Sequence, residues 1–200
     1  MPRPRKPNTS RGQTAPATSQ LRIIGGRWRG RKLAFAPVAG LRPTGDRLRE
    51  TLFNWLQFQL PGARCLDLFA GSGALGLEAL SRGAGSVDFV ELHRGAAQTL
   101  RQQLDLLQAD NARVHNCPAE MFLAQAGREQ AAFDLVFIDP PFAGDLWQDT
   151  ISQLSAASLL TDNARIYIES PRDKSVPVPP GWQLEKEKQA GQVCMRLFSL

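Results

Sequence analysis

Acidic residues are missing from the first 45 positions of this 200-residue chain, which hold ten of its 24 Lys and Arg and none of its 19 Asp and Glu. Cysteine is scarce as well: Cys65, Cys117 and Cys194 are odd in number, far apart and outside any C-x-x-C or Cys/His cluster, and there are only two histidines. That argues against a disulfide framework and a zinc site, and the expectation is reduced thiols and no metal. No apolar run approaches the eighteen or so residues that a membrane helix needs, and the basic, polar N-terminus lacks the apolar segment of a secretory signal. A cytoplasmic protein without a membrane partner is expected.

What is present suits one domain with an extension, since 42% hydrophobic and 22% charged residues are ordinary for a globular chain of this length. The net charge of +5 hides a segregated basic arm, the electrostatic footprint of a polyanion partner such as nucleic acid; a solvated tail is the plainer account. Residues 1–20, rich in Pro, Ser, Thr and Arg, bury too little apolar surface to offset chain entropy and read as a disordered basic tail. Residues 21–60 read as a hairpin-and-helix extension, and residues 61–200 as the main domain. In the extension, strands at 21–24 and 32–35 flank Gly25-Gly-Arg-Trp-Arg-Gly-Arg31, where Trp28 among arginines suits either contact with a nucleic-acid base or backbone or packing of the hairpin. A helix follows Arg42-Pro-Thr, with Thr44 as its cap and Leu48, Leu52, Trp55, Leu56 and Leu60 as its core face. Arg47, Arg49 and Glu50 fall on the other face, solvated or at the rim of a pocket.

From Arg64 onward, strand and helix patterns alternate: strands at 65–69, 86–91, 113–116, 133–138 and 164–169, helices at 74–82, 96–107, 119–126 and 146–156. Such alternation predicts an α/β fold with a doubly wound, mostly parallel sheet. After Ser170-Pro171 the alternation stops, and segments 182–188 and 192–198 read as an antiparallel pair at one edge, making seven strands.

Two stretches carry chemistry. Cys65-Leu-Asp-Leu-Phe-Ala-Gly-Ser-Gly-Ala-Leu-Gly76 runs from a buried strand through a glycine turn into a helix, and Glu91 ends the next strand twenty residues after Gly71, placed to hold ribose hydroxyls. A dinucleotide would seat its pyrophosphate on the helix N-terminus, but Asp67 would repel it. S-adenosylmethionine carries no phosphate and bears an ammonium that Asp67 can meet, so it is the favoured cofactor. The second stretch, Asp139-Pro-Pro-Phe142, ends the fourth strand at the carboxyl edge of the sheet, where such folds place ligands. An exocyclic amine conjugated with a base is a poor nucleophile until its lone pair is freed. The Asp139 carboxylate and Pro140 carbonyl can accept from the NH2 group, Pro141 stiffens the loop, and Phe142 can stack on the base.

Together, Asp67-Leu-Phe-Ala-Gly-Ser-Gly73 and Asp139-Pro-Pro-Phe142 resemble the class I S-adenosylmethionine-dependent methyltransferases that modify exocyclic amines. With Arg22-Ile-Ile-Gly-Gly-Arg-Trp-Arg-Gly-Arg-Lys32 and Arg42-Pro-Thr-Gly-Asp-Arg-Leu-Arg-Glu-Thr-Leu-Phe-Asn54, the chain resembles bacterial small-subunit ribosomal RNA guanine-N2 methyltransferases over residues 21–200. The resemblance implies a Rossmann-like fold, S-adenosyl-L-methionine as methyl donor with S-adenosyl-L-homocysteine as product, and a monomer acting on ribosomal RNA within a small-subunit assembly particle. It implies cofactor contacts from Thr44, Asp67, Phe69, Ala70, Gly71, Ser72, Gly73, Glu91, Leu92 and Ala119, and catalysis by Asp139, Pro140, Pro141 and Phe142. RNA contacts would come from Arg22, Arg27, Trp28, Arg29, Arg31, Lys32, Arg42 and Arg47. The chain departs from the pattern at Pro118, which stands where the class often has a small polar residue toward adenine and has no N–H to donate. Adenine-N6 methylation, a nucleotide-dependent oxidoreductase and a non-catalytic RNA-binding protein are the competing functions; covalent cytosine chemistry would need a cysteine after the fourth strand, and Cys117-Pro118 follows the third.

Overall fold

The computed structural model describes residues 19–35, 45–126 and 132–200. Nearly all of the basic tail therefore lies outside the described residues, as do Arg42 and Thr44. The chain opens with an antiparallel hairpin of β1 (Ser19–Arg22) and β2 (Lys32–Phe35), joined by a loop with a 3-10 turn at Gly26–Trp28. Helix α1 (Asp46–Trp55) follows. Strands β3 (Arg64–Asp67), β4 (Ser86–Val90) and β5 (Ala112–His115) then alternate with α2 (Ala74–Ser81), α3 (Arg94–Leu107) and α4 (Ala119–Ala126). The second half comprises β6 (Phe133–Ile138), α5 (Trp147–Ala156), β7 (Leu160–Pro171), β8 (Gln183–Ala190) and β9 (Val193–Ser199).

Seven strands form one sheet in the order β5-β4-β3-β6-β7-β9-β8, parallel from β5 to β7 and antiparallel at β9 and β8. Because the chain winds outward from β3 to β5 and then crosses back to β6, the winding direction reverses between β3 and β6. Open sheets of this kind bind ligands in the crevice at that reversal, beyond the carboxyl ends of the strands.

Alternation of side chains along each strand builds two hydrophobic layers. On one face Cys65, Phe89, Leu135, Phe137 and Tyr167 meet Leu52 and Phe53 of α1, Leu77 and Leu80 of α2, Leu100 of α3, and the hairpin residues Leu21, Ile23 and Phe35. On the other, Leu66, Val136, Ile138, Ile166 and Ile168 meet Phe122 and Leu123 of α4 and Trp147, Ile151 and Leu154 of α5. Every residue of α2 is buried, since the sheet covers one side and the hairpin loop another. That close seating needs Gly76, where a Cβ would stand 2.1 Å from Cε1 of Phe89 on β4.

Several boundaries differ from the sequence expectation for identifiable reasons. Gly45, rather than Thr44, occupies the N-cap of α1, and the helix ends at Trp55 in a series of turns, so Leu56 and Leu60 reach the core from non-helical backbone. Strand β7 runs twelve residues instead of six: its start pairs with Phe133 before a register shift in β6, and its end continues through Pro171 because β9 pairs with it there. Arg49 is neither solvated nor at the rim. It is 1% exposed, with Nη2 donating to the Asp46 carboxylate at 2.7 Å and to the Arg22 carbonyl at 2.9 Å.

Candidate active site

The glycine turn after β3 has the geometry that its composition predicts. Gly71 and Gly73 have φ of 54° and 78°, and Gly73 is the N-cap of α2. A Cβ on Gly73 would stand 2.6 Å from Cδ1 of Leu100, so side-chain volume as well as φ selects glycine there. Ala70 ties the turn to the neighbouring strand by donating to the Val90 carbonyl at 2.9 Å, and Gly73 closes it onto the Ala70 carbonyl at 2.7 Å.

Two buried carboxylates flank this turn. Asp67, 2% exposed at the end of β3, accepts the Gly76 N–H at 3.0 Å and also the Phe69 N–H. Burial pushes its pKa up to about 7, the two backbone donors oppose that, and Glu91 nearby raises it further. Glu91, 6% exposed, accepts the Gly71 N–H on Oε2 at 2.7 Å and the His93 N–H on Oε1 at 2.6 Å. Each of its oxygens keeps a further lone pair for a ligand hydroxyl. Asn116 braces the same corner through Nδ2, donating to the Glu91 and Leu92 carbonyls at 2.8 and 3.0 Å. Leu92 lies exposed beyond Glu91, Phe69 leads toward the turn and Ser72 lies within it, and Ala119 is the first residue of α4, directly after Pro118.

Asp139-Pro-Pro-Phe142 begins one residue beyond β6, beside this turn. Asp67 pairs in register with Phe137, and Leu68 donates to the Phe137 carbonyl at 3.2 Å, so the ends of β3 and β6 are joined two residues before Asp139. Asp139 is half-buried, Pro140 buried and Pro141 exposed. Phe142 is 44% exposed and its ring lies 5.9 Å, centroid to centroid, from the buried Trp147, which supports it from below. Trp147 is itself held by its indole N–H on the Glu169 carbonyl at 2.7 Å. On the opposite face of β7, Tyr167 donates to Glu169 at 2.7 Å, and burial first, then the negative charges of Glu169 and Asp139, raises its pKa well above the ordinary phenol value. The adjacent ends of β3, β4 and β6 thus present an anion able to meet a cation, a carboxylate for hydroxyls, and a proline-stiffened loop bearing a carboxylate and an exposed aromatic ring.

Residues 21–199 match the family described as conserved hypothetical protein 95. The chain is 50% identical over 195 residues to ribosomal RNA small subunit methyltransferase D of Escherichia coli K12, covering 97% of this chain and 94% of that one. Identity to the Haemophilus influenzae protein of the same name is 47% over 188 residues, covering 93% and 97%. The chain belongs to the ribosomal RNA small subunit methyltransferase D family. Its fold is that of the solved Escherichia coli yhhF, described provisionally as a methyltransferase, with a TM-score of 0.81 and 52% identity over 90% of this chain and 98% of that one. At 16% identity the fold alone is shared with SMU.776, solved in complex with SAH, with a TM-score of 0.73 over 94% of this chain and 57% of that one.

In this methyltransferase Arg22, Arg27, Arg29, Arg31, Lys32 and Arg47 are all exposed. Trp28 differs from them. Its indole is 6% exposed in the core cluster, its backbone N–H donates to Ser81 Oγ at 3.0 Å, and the Arg27 guanidinium covers the ring at 4.1 Å. The indole therefore packs the hairpin and is withdrawn from the set of RNA contacts. All three thiols are pushed above their ordinary range, chiefly by burial, so none is a poised nucleophile. The residues that sequence reasoning passed over are Glu78 and Ser81: they sit in an apolar helix with no pattern to mark them, yet both bond to the hairpin loop.

Proposed function

We propose that this chain transfers a methyl group from S-adenosylmethionine to the exocyclic N2 amine of a guanine in small-subunit ribosomal RNA. The observation that carries the reading is the meeting, at the reversal point of the sheet, of a buried Asp67 beside a glycine turn with Asp139-Pro-Pro-Phe142 on the adjoining strand. The names of the family members supply the ribosomal RNA.

The residues present fit the cofactor. A carboxylate whose ionised form is destabilised by burial gains most from a cationic partner, so Asp67 is suited to the methionine ammonium; Glu91 is suited to the ribose hydroxyls, and the Gly71–Gly73 backbone admits close approach. When bound, the cofactor supplies an electrophilic methyl group on sulfur. The protein supplies position and polarity. Asp139 and the Pro140 carbonyl accept from the guanine NH2, freeing the nitrogen lone pair toward the methyl and giving the departing proton a first acceptor. Phe142 holds the base by its ring face, and the tilted contact with Trp147 fixes that ring in place. The exposed arginines of the hairpin loop and Arg47 meet phosphates and set the register of the RNA. The protein acts as a monomer in the cytoplasm, on RNA within an assembling small subunit.

The test is nucleoside mass spectrometry of small-subunit ribosomal RNA from cells lacking the protein. One N2-methylguanosine should disappear, return with the parent chain and fail to return with Asp139→Ala at equal folded abundance. Loss of an N6-methyladenosine instead would overturn the choice of base, and an unchanged profile would overturn the reaction.

A further inference from the structure

Helix α2, which starts at the cofactor turn, carries in its second turn a buried carboxylate that the methyl-transfer site does not use. Glu78 is fully buried. Its Oε2 accepts the Ile24 N–H at 2.8 Å and its Oε1 the Gly25 N–H at 2.7 Å, so both oxygens hold the backbone of the hairpin loop. Arg82, one turn on, donates Nε to Oε1 at 2.6 Å, and Nη1 of the buried Arg49 lies 3.7 Å from Oε2. Ser81 adds a reciprocal clasp, donating Oγ to the Gly25 carbonyl at 2.6 Å and accepting the Trp28 N–H at 3.0 Å. The approach is as close as backbone permits: a Cβ on Gly26, at φ 73°, would stand 1.8 Å from the Ser81 carbonyl oxygen.

Three segments distant in sequence therefore converge on one carboxylate. The hairpin loop bears Arg27, Arg29 and Arg31; α1 bears the exposed Arg47 and the buried Arg49; α2 follows directly on the Gly71–Gly73 turn. A buried charge is costly unless paired and fully hydrogen-bonded, and Glu78 is both, by groups whose common effect is to fix the arginine-bearing elements against the cofactor helix. We infer that Glu78, with Ser81, is a positioning residue for RNA recognition, holding the basic loop at a set distance and angle from the methyl-transfer site. This rests on the proposed RNA reading.

Glu78→Gln keeps the shape but offers one acceptor and one donor where the loop presents two N–H groups, and removes the negative charge between two arginines. No RNA-facing cation is removed. Hydrogen exchange of the full chain should show loss of protection at Ile24 and Gly25, a readout independent of activity. Binding to small-subunit assembly particles from cells lacking the protein should weaken about ten- to a hundredfold, the cost of ordering a freed arginine loop, at every salt concentration and with an unchanged salt slope. S-adenosylmethionine affinity and kcat at saturating RNA should stay within about twofold, because an interaction lost only in RNA capture raises KM alone. Ser81→Ala, which cuts the clasp but spares the ion cluster, should give the same pattern more mildly and serves where Glu78→Gln fails to fold. Unchanged RNA affinity in the folded variants despite a freed loop, or cofactor and RNA affinity falling in equal proportion, would overturn the assignment. Failure of the parent chain to bind and methylate small-subunit ribosomal RNA both as a transcript and within assembly particles from cells lacking the protein would instead reject the RNA reading itself.

Discussion

Asp67 is placed where one substitution should raise stability and weaken cofactor binding together. Its pKa of about 7, against an ordinary 3.8, means that the folded, cofactor-free chain holds a proton that the unfolded chain gives up near pH 4. Between those values the folded state binds more protons, so stability falls as pH rises from about 4 to about 7 and is level above that. A difference of about three pH units at 1.36 kcal/mol each amounts to about 4 kcal/mol, an upper bound for what ionised Asp67 costs the free protein at pH 8. Asp67→Asn keeps an acceptor for the Gly76 N–H and removes that cost. The cofactor-free variant should melt above the parent at pH 8, by up to about 8–16 °C at 2–4 °C per kcal/mol for a chain of this size, and the two should converge toward pH 4. Cofactor affinity should move the other way. Loss of one charge-assisted hydrogen bond, worth about 1.5–3 kcal/mol, weakens binding about 10- to 150-fold. The parent's affinity should climb as pH rises from 6 to 7.5, with protons released on binding, while that of the variant stays flat. Thermal melts across pH, paired with calorimetric titration in two buffers of different ionisation enthalpy, measure both. Melting curves separated by a constant amount from pH 4 to 8, or equal affinity in the two proteins, would refute the reasoning.

Phe142→Ala should reduce single-turnover methylation at saturating cofactor through loss of stacking worth about 1–3 kcal/mol, whereas Phe142→Tyr, which keeps the ring face, should be milder; the cofactor affinity of both should match the parent. Neutralising Arg27, Arg29 and Arg31 to Gln should flatten the salt dependence of RNA binding by up to about three phosphate contacts, read from log Kd against log salt, with S-adenosylmethionine titrating as before. Gly76→Ala drives a methyl to 2.1 Å from the Phe89 ring and should lower stability by about 1–3 kcal/mol in denaturant melts, with no pH dependence of the kind expected at Asp67.

The alternation of strand and helix was legible because β3, β4 and β6 are short apolar runs closed by an acid or a glycine turn, signals that depend only on neighbours in sequence. The glycine turn, Asp67, Glu91 and Asp139 were legible for the same reason, since spacing along the chain places them at one end of one sheet. Arg49 was not. Its helix position reads as a boundary residue, and what buries it are Glu78, 29 residues later, and the Arg22 carbonyl, 27 earlier. Trp28 was open between two roles because its indole is buried by a core built from distant segments, and its backbone is held by Ser81, 53 residues away. The extent of β7 was hidden too, as its final residues are held in the sheet by β9 rather than by their own composition.

Strand β9 bears on how the molecule is made. It lies between β7 and β8, pairing with both, although it follows both in the chain. During synthesis, then, β8 has no place on the sheet until Val193–Ser199 emerges, and the β7 edge carrying Ile166 to Pro171 stays unpaired meanwhile. An open hydrophobic edge of that length is a template for mispairing with another nascent chain. The interval between translation of β7 and arrival of β9 therefore leaves an unpaired edge that a holding chaperone would cover.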